Sequence, residues 1–337
     1  MARGVLTPLE ALNKVVEARL AIAKLTGFRT LANLADAGRI RVATKTSLDW
    51  NVDVGGEAAV WERVTQDGAE TDSGQTVPAH LTLGTHRLKH QFSISKVAIQ
   101  EAATLAPGEL SDLLGEHTDR AVLAIMRKLN QALYAGDGTE THGNLIGMAA
   151  IADNTKSYAG IDPAVYPAWK ALVNTNASNR AFSRDIMLDV DQLVAENESM
   201  YDLVITTPSV AKGYVKVFDT LAGAAALKKA DGTMGLPSVD LGHNGRYYNG
   251  YPIIEDPQAT AGTIHLINTN DLDLFLFELA PGNPGSAPHV VNRSYGIPIH
   301  IAPLPSNNSA VMRFEFFVMP QLRLFNRKSL TVINKLT

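Results

Sequence analysis

The sequence of 337 residues predicts an α+β protein, and three observations support that fold class. A long amphipathic helix is predicted before residue 136, a mixed helix–strand region follows it, and the C-terminal part is rich in strands. The chain is long enough for more than one lobe around a sizeable core. No catalytic motif accompanies this order of elements, so we interpret the chain first as a structural building block.

Composition narrows the classes of function. Charged residues make up 19% of the chain, below the typical share of about 25%, which suits a surface buried against copies of itself. The net charge of −4 excludes a global basic field for nucleic acid and makes sequence-specific DNA binding an unexpected function. Cysteine is absent, which excludes disulfides, thiolate catalysis and zinc–cysteine sites. We find neither an apolar run long enough to span a membrane nor a secretory signal.

The N-terminal segment is predicted to begin with a helix. Thr7-Pro8-Leu9-Glu10 forms a capping box, with Thr7 as N-cap and Glu10 at the third helical position. The apolar residues of this helix share one face, namely Leu9, Leu12, Val16, Leu20 and Ala23. This face is buried either on its own core or, as an arm, on a neighbouring subunit. We favour the arm because residues 30–41 show weak periodicity and no obvious core strand.

A hairpin is predicted next. Leu48, Trp50, Val52 and Val54 alternate with polar residues, which indicates a half-buried strand, and Val60–Val64 is a second short strand. A polar, mildly acidic tip at 66–74 precedes a long extended run from Leu81 to about Val97. Because an isolated two-stranded ribbon is marginally stable, Trp50 and Trp61 are predicted to pack on another subunit. The alternative is that both tryptophans lie in the core of their own chain.

The long helix is predicted from Ser111 to Ala135, and it would span roughly 36 Å. Its apolar stripe consists of Leu110, Leu113, Leu114, Ala121, Ile125, Leu129 and Leu133. Gly136-Asp137-Gly138 follows, and we expect its glycines to end the helix through left-handed backbone geometry.

Helices and strands then alternate. Ser183 is predicted to cap a helix, residues 201–206 form a buried strand, and Thr207-Pro208 begins a helix through about Leu221. Residues 247–254 and 263–268 are further strands. The remaining chain is predicted as extended segments at 272–279, 290–301, 311–318 and 322–334, with Pro320 marking a bulge or an edge.

Residues capable of chemistry do not form a recognisable site. His86 and His90 would lie about 13 Å apart along a strand, which is too far to chelate one ion, so they are interpreted as structural or interface residues. Asp189 and Asp191 are predicted on a solvated helix face. Gly242-His243-Asn244-Gly245 lacks the spacing of a dinucleotide site, and no catalytic motif is present. The sequence therefore predicts no catalytic, cofactor or metal site and no enzyme.

The order of elements resembles the major capsid proteins of tailed bacteriophages, which have the Hong Kong 97-like fold. Two short sequence segments are similar to segments of this family: residues 202–208 (Asp-Leu-Val-Ile-Thr-Thr-Pro) and residues 248–257 (Tyr-Asn-Gly-Tyr-Pro-Ile-Ile-Glu-Asp-Pro). The resemblance implies an N-terminal arm at 1–45, an extended hairpin called the E-loop at 46–92 and an axial domain at 143–275. It also implies a peripheral domain at 93–142 and 276–337, whose spine helix is 111–135.

The same resemblance implies a function. The chain would form hexamers and pentamers of an icosahedral shell around double-stranded phage DNA, assembled in the host cytoplasm and held without sequence-specific contacts. Its other partners would be portal, scaffolding and decoration or minor capsid proteins. Because the chain starts at Met1 without a cleaved scaffolding segment, any scaffolding protein is expected to be a separate one. The candidate intersubunit residues are Leu9, Leu12, Val16, Leu20, Trp50 and Trp61. No lysine lies between Lys45 and Lys89, so the E-loop cross-link of some members is not expected at the tip.

Two other functions stay open at this point. An encapsulin, which is a cellular nanocompartment of the same fold, would differ by lacking packaged nucleic acid. A soluble α+β enzyme or binding protein would differ by forming a discrete monomer or dimer.

Overall fold

A computed structural model of the chain describes residues 28–45, 47–53, 78–84, 86–105, 109–138, 145–222, 247–279, 290–292, 297–305 and 310–337. The helices are α1 (Arg29–Asp36), α2 (Lys96–Leu105), α3 (Glu109–Ala135), α4 (Met148–Ala152), α5 (Arg184–Glu196) and α6 (Pro208–Ala222). Short 3₁₀ turns lie at Pro167–Trp169 and Arg327–Ser329. The predicted α+β class is confirmed.

The strands form four sheets. In chain order the strands are β1 (Ile40–Ala43), β2 (Ser47–Asp53), β3 (Pro78–Gly84), β4 (Leu88–Ser95), β5 (Leu172–Asn174), β6 (Leu203–Thr206), β7 (Tyr247–Tyr248), β8 (Tyr251–Glu255), β9 (Ile264–Ile267), β10 (Leu272–Phe277), β11 (Val290–Asn292), β12 (Ile299–Leu304), β13 (Val311–Val318), β14 (Pro320–Leu324) and β15 (Leu330–Ile333). The strand orders are β1–β10–β14, β11–β12–β13–β4 and β5–β15–β9–β6–β8–β7, and β2 pairs with β3 as a ribbon.

Helix α3 is the predicted long helix, and it begins two residues earlier than the sequence indicated. From Ala121 onwards its apolar face is buried as expected, with Leu129 and Leu133 both 0% exposed. The role of Gly136 is different from the prediction, because its backbone is not left-handed. A Cβ on Gly136 would lie 2.1 Å from the carbonyl oxygen of Leu145, so close approach of two backbones requires the glycine. Gly138, with φ of +73°, does have the expected left-handed geometry.

The segment from Phe28 to Lys45 is not a free part of an arm, which corrects the interpretation of residues 30–41. Leu31 and Leu34 on α1 are each 2% exposed and pack in the core of their own chain. Strand β1 pairs in parallel with β10, and Ile40 is opposite Leu274. A strand of four residues carries little periodic signal, and its partner is distant in sequence, so the pattern alone could not place it.

The extended run predicted from Leu81 to Val97 is divided in the structure. Strand β3 pairs with β2, whereas β4 pairs with β13 in another sheet, and Val97 lies in helix α2. The predicted antiparallel base of the hairpin is confirmed by β2 and β3.

Two further strand predictions need correction. Residues 247–254 form two strands joined by a turn at Asn249 and Gly250, whose φ angles of 48° and 84° suit a tight hairpin. Residues 322–334 divide into β14 and β15. Strand β15 pairs with β5 and β9 in the six-stranded sheet, so the C-terminal residues do not all return to the sheets predicted for a peripheral domain at 276–337.

The helix–strand–helix–strand lobe follows the prediction closely. The hydroxyl of Ser183 accepts a hydrogen bond from the backbone N–H of Ile186 at 3.4 Å, which makes Ser183 the N-cap of α5. Strand β6 is buried throughout, and α6 begins at Pro208. One hydrophobic cluster packs α5 and α6 on the six-stranded sheet, and a larger one joins α3, the β2–β3 ribbon and the other sheets.

Candidate self-assembly surface

Most of the predicted intersubunit residues, namely Leu9, Leu12, Val16, Leu20 and Trp61, lie outside the described residues. Trp50 is described, and its placement corrects the prediction. Its side chain is in the core of its own chain and is 8% exposed. A ring that is already buried has little apolar area left to bury against a neighbour, so Trp50 supports the fold of the subunit rather than a contact between subunits.

Two distant segments supply the surroundings of Trp50. Its ring lies 6.5 Å from that of Tyr158, and the guanidinium of Arg323 lies 5.8 Å from the Trp50 ring centroid. The hydroxyl of Tyr158 accepts a hydrogen bond from the backbone N–H of Leu324 at 2.9 Å. Burial raises the pKa of Tyr158, which therefore stays neutral. This packing anchors the base of the β2–β3 ribbon on β14.

A buried carboxylate joins α1, α3 and the six-stranded sheet. Asp256 is 0% exposed and follows β8 directly. It belongs to the segment 248–257, which is similar to a segment of the capsid family. One of its oxygens accepts hydrogen bonds from the Thr30 hydroxyl at 2.8 Å, the Asn130 amide at 2.9 Å and the Tyr134 hydroxyl at 3.0 Å. The other oxygen accepts from the backbone N–H of Gln258 at 2.9 Å. The carboxylate therefore fixes three separate segments of the chain at one point.

Burial also sets the protonation of two neighbours of Asp256. The pKa of Tyr134 is raised well above its usual value by desolvation and by the charge of Asp256. His265 packs on Tyr134 with ring centroids 5.6 Å apart, and desolvation lowers the pKa of His265 to about 4. The Thr263 hydroxyl donates to the carbonyl of Thr260 at 2.6 Å and lies 3.2 Å from Nε2 of His265. The Thr263 hydroxyl has only one proton and donates it to Thr260, so it can only accept a hydrogen bond from His265. Nε2 of the neutral imidazole therefore carries the hydrogen.

The acidic run on α5 is only partly the solvated face that was predicted. Asp189 is exposed, but Asp191 is half-buried and accepts hydrogen bonds from the Tyr201 hydroxyl at 2.7 Å and the Asn249 amide at 2.9 Å. Tyr248 donates a third bond to the same carboxylate. Burial, followed by the charge of Asp191, raises the pKa of Tyr201. Asp191 thus holds the β7–β8 hairpin against α5, which the helical spacing could not reveal.

One face of the three-stranded sheet carries arginines around a buried carboxylate. Asp273 on β10 is 0% exposed and lies 3.0 Å from Nε of Arg41 and 2.6 Å from Nη2 of Arg323. Nη1 of Arg39 lies 3.9 Å from the same carboxylate. The side chain of Arg41 is 50% exposed, so this face meets solvent. Sequence analysis missed this group, although a charged residue between leucines in β10 was a signal for a paired buried charge.

The described residues contain no group of His, Asp and Glu that could hold a metal ion. His86 lies in the connection before β4 rather than in a strand, and desolvation lowers its pKa. His90 lies within β4. Among the helices in the described ranges, none combines the length and apolar character needed to cross a membrane.

Known proteins resemble the chain in sequence and in fold. Residues 18–273 match the model of the phage capsid family. The capsid of cyanophage A-1(L) has a TM-score of 0.77 and 21% identity, covering 93% of this chain and 94% of its own. The capsid of a native GTA particle has a TM-score of 0.59 and 15% identity, covering 92% and 91%. The SrpI encapsulin of Synechococcus elongatus PCC 7942 has a TM-score of 0.55 and 10% identity, covering 91% and 87%.

No curated protein sequence matches this one. These three solved structures are each below 25% identity and therefore establish the fold, whereas the family match extends over most of the chain. The chain belongs to the phage capsid family, has the Hong Kong 97-like fold, and is a major capsid protein of a virion shell.

Proposed function

We propose that the chain assembles through noncovalent contacts into hexamers and pentamers of an icosahedral shell that encloses double-stranded DNA. It acts there as a structural protein without enzymatic activity, and assembly takes place in the host cytoplasm. Portal and scaffolding proteins are further partners of such a shell. The subunit contributes a spine helix (α3), an E-loop with its base at β2–β3 and an axial lobe around the six-stranded sheet.

Membership of the phage capsid family is the observation that carries this proposal. The contacts of Asp256 support it, because they fix α1, α3 and the six-stranded sheet as one unit. A subunit whose parts are held rigidly can present several surfaces to several neighbours at constant angles, which a closed shell needs. The net charge of −4 also suits a container that must release its DNA.

Particles isolated from cells that produce the virus test the proposal. After nuclease treatment, we expect protected double-stranded DNA inside closed particles, and boiling in detergent should release single subunits on a gel. A ladder of covalent oligomers would contradict the noncovalent part. Soluble monomers or dimers in place of particles would contradict the shell itself.

An encapsulin-type compartment is the outcome that the experiment must be able to exclude, because the SrpI encapsulin has the same fold over 91% of this chain. The same preparation distinguishes the two functions. Particles that contain a protein cargo and no protected nucleic acid would favour the compartment.

A further inference from the structure

The outer face of the β1–β10–β14 sheet has more positive charge than the carboxylates in the described ranges neutralise. Three guanidinium groups, from Arg39, Arg41 and Arg323, surround the carboxylate of Asp273. Among the described residues, Asp273 is the one carboxylate within 4.0 Å of these groups. We name this set of four residues the Arg41 face. It keeps an excess of about two positive charges because arginine stays protonated in proteins.

Two donors on the Arg41 face also have no hydrogen-bond partner in the described part of the chain. They are the buried Nε atoms of Arg39 and Arg323. A buried donor without a partner destabilises the protein, and more so when the group is charged. Arg41 is 50% exposed and stands at the sheet edge, because β1 is the outermost strand. An oxyanion that binds beside Arg41 would offset the excess charge, and small side-chain movements would let it reach the unpaired donors.

Aromatic rings accompany the arginines. The guanidinium of Arg323 lies 3.8 Å from the ring centroid of Phe325 and 4.4 Å from that of Phe275, and both rings are half-buried. Arginine together with aromatic residues is the composition of contact surfaces between proteins. Phosphate groups of nucleic acid would bind the charges but would leave the half-buried rings without a partner.

The charge of the whole chain indicates which protein would bind. Residues 1–45 contain eight lysines and arginines against three acidic residues, although the full chain has a net charge of −4. The chain beyond residue 45 is therefore acidic. Copies of such a molecule attract each other when the basic part of one meets the acidic part of the next, and they repel when like parts meet. This arrangement is heterologous, as a closed ring of subunits requires.

We propose that the Arg41 face binds carboxylates on the acidic surface of a second copy of this chain. The proposal rests on the proposed function only in that shell assembly brings the copies together. Arg41 supplies the exposed charge, whereas Asp273 holds the three guanidinium groups in position.

Matched variants test the role of the charge. Arg41→Gln removes the charge, Arg41→Lys keeps it, and Arg184→Gln removes an exposed arginine from α5 as a control. We expect Arg41→Gln to raise the critical concentration for assembly about tenfold or more, with a weaker dependence on salt than in the parent protein. Arg41→Lys should restore most of the assembly, and Arg184→Gln should change it less than threefold. Circular dichroism would check that each variant is folded.

The absence of cysteine allows a direct test of the partner. Arg41→Cys would carry a thiol-attached photo-crosslinker, and unlabelled subunits would be mixed with ¹⁵N-labelled ones. The proposal expects cross-links between differently labelled subunits, to peptides rich in Asp and Glu. Cross-links confined to one subunit would overturn it. If the parent protein forms no shells, the proposed function fails, and the cross-links within smaller oligomers still decide the proposal.

Nucleic acid is the competing occupant, and the variants distinguish it. Binding of a double-stranded oligonucleotide would be followed by fluorescence anisotropy at several salt concentrations. If Arg41→Gln assembles like the parent protein but loses affinity for the oligonucleotide, the face binds DNA and the proposal is wrong. Equal effects of Arg41→Gln and Arg184→Gln on assembly would also contradict it.

Discussion

Replacing Trp50 with alanine is expected to destabilise the isolated subunit. The Trp50 ring is 8% exposed, so nearly all of its surface is withdrawn from water by its own chain. A buried tryptophan removes about 150–250 Å² from water, which corresponds to about 4–6 kcal/mol at 25 cal/mol per Å². Nε1 of Trp50 is buried without a hydrogen-bond partner, and this lowers the net benefit of the native side chain. We therefore expect a loss of about 3–5 kcal/mol in the free energy of unfolding, the range observed for truncation of large aromatic residues.

Chemical denaturation of unassembled subunits, followed by tryptophan-independent circular dichroism, would measure this loss. Trp50→Phe should cost less than Trp50→Ala, because the ring contact with Tyr158 is partly kept. His80→Ala on the exposed side of β3 is a matched control and should change stability by less than about 0.5 kcal/mol. An unchanged denaturation midpoint for Trp50→Ala together with weaker assembly would refute the reasoning. It would indicate that Trp50 contacts a neighbouring subunit.

Three further changes test separate parts of the fold. Asp256→Asn should lower the free energy of unfolding by about 3 kcal/mol, because the new amide N–H₂ group would face hydroxyl and amide donors. The control Asp162→Asn, at an exposed position, should have little effect on the denaturation midpoint. Gly136→Ala should lower the melting temperature strongly, because the added Cβ would lie 2.1 Å from a backbone oxygen. The control Gly84→Ala should leave the melting temperature nearly unchanged, because the space around Gly84 is open. His265 has a lowered pKa of about 4, so the unfolded chain binds its proton first. Stability should therefore fall by about 3 kcal/mol as the pH drops from 6.5 to 4, and His265→Gln should remove this part of the pH dependence in denaturation curves. A pH profile that is the same in the variant would show that His265 is not responsible.

Local signals in the sequence were sufficient for three helices and for strand β2. Helix α3 has a repeating apolar stripe, and Ser183 and Pro208 mark the starts of α5 and α6 by capping chemistry. The alternation of apolar and polar residues in β2 correctly indicated that Trp50 is buried. Such a pattern shows which face of a strand is covered, but it does not show which residues cover it. Tyr158 and Arg323, which provide the cover, come from distant segments.

The candidate surfaces were harder to predict for the same reason. Asp256 and Asp273 act through partners on other elements, and a single sequence contains no record of which elements meet. The pairing of β15 with β5 and β9 likewise depends on the path of the chain through the whole molecule. These contacts join residues far apart in sequence, so neither periodicity nor capping motifs could indicate them.

Electron microscopy of the purified chain of 337 residues tests the central claim most directly. Negatively stained preparations at concentrations above the assembly threshold should contain closed shells of uniform diameter built from rings of subunits. The self-association of a phage capsid subunit would produce this result without any added enzyme or cofactor. A preparation that contains only monomers or dimers, although the chain is folded by circular dichroism, would contradict the account.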